Sequence, residues 1–330
     1  MKPQCSHPCD EAVIATNDDA SECKRSAVRL GYWQDEYLGY FVKSSQERKA
    51  PEINRGYFAR VRGVEIVIEK FLQRSQGSAC QIVNLGCGFD TLYWRLRESG
   101  HQVANFIELD FPTVTAKKCY AIKRNKRLLE KIHAAEDGEV RLSSTDLHAS
   151  NYHIMGVDLR NIDELHSKLN QAEIDYSIPT IFLAECVLVY IESANCANLL
   201  KWLSGQFPTS VFVNYEQVNM NDRFGDVMLG NLRARGCNLA GVEACTSLET
   251  QVARFLDCGW HGARAWDMVQ VYQSLPNAER QRIERIEMLD EGELLVQLFQ
   301  HYCITIAWVG ELFQDIEITV ERRMSSLNID

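Results

Sequence analysis

The 330-residue chain carries a formal net charge of -10 and is 46% hydrophobic, enough for one large α/β domain or two ordinary ones. That acidic balance argues against a nucleic-acid partner, because phosphate backbones are bound through clustered Lys and Arg. No apolar run approaches the roughly eighteen residues of a membrane span and no signal peptide opens the chain, so neither a membrane partner nor secretion is expected.

Residues 1–22, with Pro3, Pro8, Asn17, Asp18, Asp19 and Ser21, show no periodicity and are expected to form a mobile N-terminal arm. Residues 23–330 are expected to form a single domain. From Lys24 onward, Tyr32, Trp33, Tyr37, Tyr40 and Phe41 recur at helical intervals and suggest a helical cap over a pocket, spanning 23–75. Between Lys43 and Arg62 stand six bases against Glu47 and Glu52, a window that reads either as an anion site or as a solvated helix face. Residues 50–56 read as a loop. Tyr57, Val61, Val64, Ile68 and Phe71 then mark the apolar face of a helix, with Arg60 beside it.

The stretch Gln81-Ile82-Val83-Asn84-Leu85-Gly86-Cys87-Gly88-Phe89-Asp90 organises the rest. A short apolar strand runs into a glycine turn, and residues 91–96 begin the helix whose positive end would face the crevice beyond the strand. Thr91 stands where a dinucleotide-binding turn has its third glycine, which disfavours a pyrophosphate ligand. About twenty residues on, a second apolar strand ends at Asp110, placed to accept from both hydroxyls of a ribose. An adenosine-containing cofactor without pyrophosphate fits both features, and S-adenosylmethionine is the obvious candidate.

Residues 117–133 read as one basic helix and 134–150 as irregular. A third strand, 153–159, carries Asp158 at its end; Asp158 would accept from the exocyclic amine of adenine, with the backbone near Leu159 at the ring edge, or would cap the following helix. The most apolar run, 178–190, reads as the central strand. Glu185 within it is costly unless paired, and the ammonium group of a methionine moiety would pair it. A helix at 194–206 and a strand at 210–217 follow. Residues 217–259 exceed an ordinary crossover and are expected to shape a substrate pocket, with helices at 222–235 and 247–256, the second opened by a capping box at Thr246 and Glu249. A strand at 260–267, helices at 268–275, 277–287 and 291–300, and a strand at 302–309 complete a seven-stranded doubly wound α/β sheet. Twelve cysteines form no C-x-x-C pair and no H-E-x-x-H occurs, so reduced thiols in cytoplasm or nucleus and no metal site are expected.

The runs Lys49-Ala50-Pro51-Glu52-Ile53-Asn54-Arg55-Gly56-Tyr57-Phe58-Ala59-Arg60-Val61, Asn84-Leu85-Gly86-Cys87-Gly88-Phe89-Asp90-Thr91, Ala184-Glu185-Cys186-Val187-Leu188-Val189-Tyr190 and Asn214-Tyr215-Glu216-Gln217-Val218-Asn219-Met220 together resemble the leucine carboxyl methyltransferases over about residues 23–310. The resemblance implies a class I S-adenosylmethionine-dependent methyltransferase fold. It implies a cofactor held by Lys24, Arg60, Gly86, Asp110, Asp158, Leu159 and Glu185. It also implies a partner, the catalytic subunit of the type 2A protein phosphatase, methylated on its C-terminal leucine; separately, the chain is expected to be a monomer. Cys87 departs from the alanine expected in relatives. Arg60 and Tyr190 are the expected catalytic residues, with Tyr190 reading equally as an aromatic plug. Two other readings compete: a related carboxyl methyltransferase acting on a modified tRNA base, which carries an added propeller not expected here, and a cofactor-gated protein that only binds the phosphatase.

Overall fold

Among the described residues, the seven apolar runs pair into a single sheet, and a two-residue hairpin at one edge raises the strand count to nine. The computed structural model describes residues 8–43, 48–75, 79–133, 140–290 and 292–318. Residues 1–7 of the expected arm, 44–47 of the basic window, 134–139 of the irregular segment and Glu291 at an expected helix start lie outside the described residues.

The strands are β1 Gln81–Leu85, β2 Asn105–Asp110, β3 Arg141–Leu142, β4 Leu147–His148, β5 Tyr152–Gly156, β6 Thr180–Glu185, β7 Ser210–Gln217, β8 Gly262–Asp267 and β9 Tyr302–Val309. They run in the order β3-β4-β5-β2-β1-β6-β7-β9-β8. The five central strands, β5 to β7, are parallel, while β9 returns antiparallel between β7 and β8. Every residue of β1 and β7 is buried, as parallel strands covered on both faces require. Neighbouring residues serve opposite faces: Ile82, Ile181 and Val211 join the core on one side, and Val83, Phe182 and Phe212 join the core on the other. From β1 the chain lays β2 and β5 to one side and then β6 and β7 to the other. The crevice beyond the carboxyl ends of β1 and β6 is therefore the topological switch point, where ligands of such sheets bind.

The helices are α1 Pro8–Arg29, α2 Leu38–Phe41, α3 Pro51–Arg74, α4 Leu92–Glu98, α5 Pro112–Arg124, α6 Lys126–His133, α7 Ile162–Gln171, α8 Ser193–Gln206, α9 Arg223–Ala234, α10 Leu248–Leu256, α11 Met268–Ser274, α12 Asn277–Glu284 and α13 Gly292–Gln300. No helix among the described residues is long and apolar enough to cross a membrane.

Several expectations need correcting. Residues 8–22 are the body of α1, a 22-residue helix packed on α3, not an irregular arm. Its acids Asp10 and Glu11 in the first turn and Arg29 in the last complement the helix dipole. The expected loop at 50–56 is already helix from Pro51, whose fixed φ and missing N–H suit a first turn. The basic helix at 117–133 is two helices, broken where Asn125 turns extended. The capping box of α10 is Ser247 with Thr250, one residue beyond the expected pair, because Ser247 is the extended residue and Thr246 is helical. The irregular segment at 134–150 contains the antiparallel pair β3 and β4.

Candidate active site

A cavity of about 420 Å³ opens at the switch point, and all eight residues expected at the site line it: Lys24, Arg60, Gly86, Asp110, Asp158, Leu159, Glu185 and Tyr190. At one end the turn after β1 exposes main chain. Gly86 lies at φ 65°, and a Cβ there would fall 2.5 Å from Val187, so the backbone comes as close to the β6 turn as a glycine allows. Asp110, at the tip of β2, accepts from the N–H of Gly88 and the N–H of Phe111, each at 2.7 Å. Burial pushes its pKa up to about 6 against the pull of those two N–H groups.

Asp158 follows β5 and is engaged by Arg160, whose backbone N–H, Nε and Nη2 donate to its two oxygens at 2.7–3.0 Å. It caps no helix; α7 is capped by Asn161. Arg160 also grips Asp10 of α1 through two bonds of 2.9 and 3.1 Å. Asn17, two turns on, accepts from the N–H of Phe89 at 2.9 Å. The first turns of α1 thus roof the glycine turn and the end of β5, and Asp10, Ile14, Asn17 and Lys24 all face the cavity.

The middle of the cavity is charged. Arg60, on the third turn of α3, donates Nε to the Glu185 carboxylate and Nη2 to the Glu185 carbonyl. Lys24 of α1 stands 3.7 Å from the same carboxylate and 3.6 Å from Asp90. Burial alone would raise Glu185, but Lys24 and Arg60 override it and hold the carboxyl below its usual range. Asp90 is lowered in the same way against its burial, by Lys24, Arg95 and Lys118. The guanidinium of Arg60 lies 4.8 Å from the Tyr215 ring centroid and 5.6 Å from that of Tyr57, leaving Nη1 with no hydrogen bond among the described residues. Just past Glu185 the chain turns through Cys186 at φ 56°, a left-handed conformation that a non-glycine residue holds only where its surroundings impose it. That turn leads to the 3₁₀ segment Leu188–Tyr190 and delivers Tyr190 to the far end. There it joins Tyr215, Tyr302, Met228, Leu232 and Phe299. Burial raises the Tyr190 phenol well above its ordinary range, so it stays a neutral donor.

The donor set fits S-adenosylmethionine: two cations for a carboxylate, Glu185 for an ammonium, Asp110 for a ribose diol, and a glycine turn whose backbone takes a ligand closely. Sheet order, switch-point cavity and donor set define an S-adenosylmethionine-dependent methyltransferase. The family described as leucine carboxyl methyltransferase matches residues 12–204. A relative from Bos taurus, leucine carboxyl methyltransferase 1, is 49% identical over 311 residues, covering 93% of each chain. Its counterpart from Caenorhabditis elegans is 45% identical over 307 residues, covering 90% of this chain and 91% of that one. The human tRNA wybutosine-synthesizing protein 4 is 37% identical over 317 residues, covering 94% of this chain and 46% of that protein. The chain belongs to the leucine carboxyl methyltransferase family, whose members methylate carboxyl groups with S-adenosylmethionine.

Sequence reasoning missed the roof made by α1, and with it Asp10, Asn17 and Arg160. The signal available was the acidic first turn and basic last turn of residues 8–29. It also missed Tyr57, Tyr215 and Tyr302, which come from three distant elements and share no local pattern.

Proposed function

We propose that this enzyme esterifies the α-carboxylate of the C-terminal leucine of the type 2A protein phosphatase catalytic subunit. The observation that carries the reading is Arg60: a buried guanidinium lining the cavity, tied to Glu185 on one side and packed on Tyr215, whose Nη1 makes no hydrogen bond among the described residues. A fixed fork of this kind suits a carboxylate better than a mobile ammonium does.

When bound, S-adenosylmethionine supplies an electrophilic methyl group on a sulfonium. Lys24 and Arg60 would hold its carboxylate, Glu185 its ammonium, Asp110 its ribose hydroxyls, and Gly86, Asp158 and Leu159 its adenosine end. Because Arg160 fills the Asp158 carboxylate, an adenine amine there must share it. A terminal α-carboxyl ionises near pH 3.3–3.7, roughly three units below neutrality, so no general base is required. The ionised carboxylate oxygen would be the methyl acceptor as it stands, so no residue of the chain has to take a proton. What the chain must supply is alignment of that oxygen with water kept out, which is where proximity and orientation lower the barrier most. Attack neutralises both charges, so a cation on the carboxylate stabilises the ground state as well. Arg60 therefore serves chiefly to position substrate, and Tyr190 to orient the carboxylate from the far side.

The partner in this reading is the phosphatase subunit, with no nucleic acid and no membrane, and the enzyme acts as a monomer in cytoplasm or nucleus. The test is transfer of labelled methyl from S-adenosylmethionine to the purified catalytic subunit, compared with the same subunit lacking its last leucine. Label that depends on the leucine and leaves as methanol in mild base is expected. Label independent of the leucine, or none while the cofactor still binds, overturns the reading in favour of a tRNA substrate or a purely binding role.

A further inference from the structure

The 3₁₀ segment that carries Tyr190 is clamped from both sides by residues that never reach the cavity chemistry themselves. Glu216, on β7 and fully buried, accepts from the N–H of Val189 at 2.6 Å through Oε1. Its other oxygen gathers donors from the excursion between β7 and β8: Nη1 of Arg254, and Nε2 of Gln251 at 3.3 Å. Asn214 adds Nδ2 at 3.4 Å from β7 itself. On the opposite side, the N–H of Gly241 donates to the carbonyl of Val189 at 2.8 Å, and Arg254 Nη2 donates to the carbonyl of Gly241 at 3.4 Å. A Cβ on Gly241 would lie 2.7–2.8 Å from the carbonyls of Ile191 and Leu188, so the excursion packs its bare backbone against the segment. Both main-chain polar groups of Val189 are thereby fixed, one residue before Tyr190, and a single carboxylate ties that fixation to α10.

We infer that Glu216 is a positioning residue for carboxyl methylation: it holds Tyr190 at the substrate end by bonding the Val189 N–H, with Arg254 of the excursion as its counter-charge. This rests on the reading of Tyr190 as the group that orients the substrate carboxylate. The chemistry of the site makes the claim sharp. In Glu216→Gln an amide replaces an oxygen by a donor. The new NH₂ must then face either the Val189 N–H or the Arg254 guanidinium, and each arrangement sets donor against donor. Removing the guanidinium as well relieves the conflict, because Asn214 holds a buried, unpartnered amide oxygen that a flip of its amide turns toward the new NH₂, while Gln251 keeps its bond to the Gln217 carbonyl at 2.9 Å.

The experiment is a double-mutant cycle on the full chain, with kcat and KM for the carboxylate substrate, cofactor Kd and thermal midpoint read for each protein. Glu216→Gln is expected to lower kcat about 100-fold, as misplacing a group by about an ångström does, with cofactor Kd nearly unchanged. In the Tyr190→Phe background the same change should add almost nothing, since its effect passes through the lost hydroxyl. Glu216→Gln with Arg254→Met should recover most of kcat. Additive losses in the Tyr190→Phe background, or a cofactor Kd that rises as kcat falls, overturn the inference. Near-normal turnover of Tyr190→Phe alone instead removes the reading of Tyr190 on which it rests. If Glu216→Gln fails to fold, Gly241→Ala presses on the same segment from the other side, and the same cycle with Tyr190→Phe decides.

Discussion

The two ends of the cavity are built by different rules. The cofactor end is made of main chain and carboxylates at the tips of strands that follow one another: β1 ends in the glycine turn, β2 ends in Asp110, and Asp110 closes back onto Gly88 and Phe111 within 22 residues. The substrate end has no such economy. Arg60 comes from α3, Tyr190 from the turn after β6, Tyr215 from β7, Tyr302 from β9, and Met228 and Leu232 from α9. Its order depends on fully buried polar groups such as Glu216 rather than on local turns. The first kind of site follows from the topology of a doubly wound sheet, which offers the same crevice to many adenosine-containing ligands, here one without a pyrophosphate. The second is particular to one substrate and can change without disturbing the sheet. Arg60 and α1 are the two elements that touch both ends.

Arg60→Ala therefore gives the largest expected effect, because it removes a charged group that serves both ends. It strips Glu185 of a partner and the substrate carboxylate of its guide. Transfer should fall to background, a loss well beyond the roughly 100-fold of simple misalignment. Cofactor affinity should fall as well, and labelled-methyl transfer alongside calorimetric cofactor binding measures both. Near-normal turnover would remove Arg60 from the mechanism and reduce the two ends to one.

The contrast also explains what could be read from the sequence. The strands were legible because continuous burial writes itself as apolar runs, and Gly86, Asp110 and Glu185 were legible because each sits at the end of such a run. Lys24 and Arg60 came from the resemblance; nothing in their own segments marks which face of the helix meets the cavity. The aromatic residues Tyr57, Tyr215 and Tyr302 were invisible as a group, since only the pairing of β7 with β9 brings Tyr215 and Tyr302 together, stacked at 5.3 Å. For α1 the difficulty was compositional. Asn17, Asp18, Asp19 and Ser21 have low helix propensity and suggest a loop, while packing on α3 and ion pairs to Arg160 and Arg235 hold the helix in place.

A middle-sized effect separates a roof from a wall. Asp10 reaches Arg160 through a two-pronged bond and is nearly buried, so Asp10→Ala frees one face of Arg160 and loosens the start of α1 over the adenosine end. Bonds to charged groups of this kind contribute about 1.5 to 3 kcal/mol, so cofactor dissociation should quicken roughly tenfold. The substrate KM at saturating cofactor should change less, within about twofold, because Asp10 lies at the adenosine end while Tyr190 is held from β7 and by Thr16 further along α1. Stopped-flow release of the cofactor measures the first. An unchanged release rate would show α1 to be a fixed wall, with exchange occurring through the substrate end.

The smallest effect belongs to Asp110 and concerns protons. Its pKa of about 6 stands above the ordinary aspartate value of about 3.9, so the folded chain holds this proton more tightly than the unfolded one. The sign follows: Asp110 favours the fold fully below about pH 4, and that contribution is lost as pH rises through about 6. Ribose hydroxyls reverse the preference, since they donate to the anion and replace the water that burial removed. Cofactor binding should then expel the proton. Affinity should weaken on acidification from about pH 7 to about pH 5, by no more than about tenfold per unit. Calorimetry near pH 6 in two buffers of different ionisation enthalpy should register release of a fraction of a proton. Asp110→Asn sets its new NH₂ against the N–H of Gly88 or of Phe111 and disturbs the turn, so it binds more weakly at neutral pH and should lose both the pH dependence and the proton release. If the wild-type protein releases no proton, Asp110 is serving only the turn, through Gly88 and Phe111, and the cofactor end owes its affinity to backbone and to Glu185 instead.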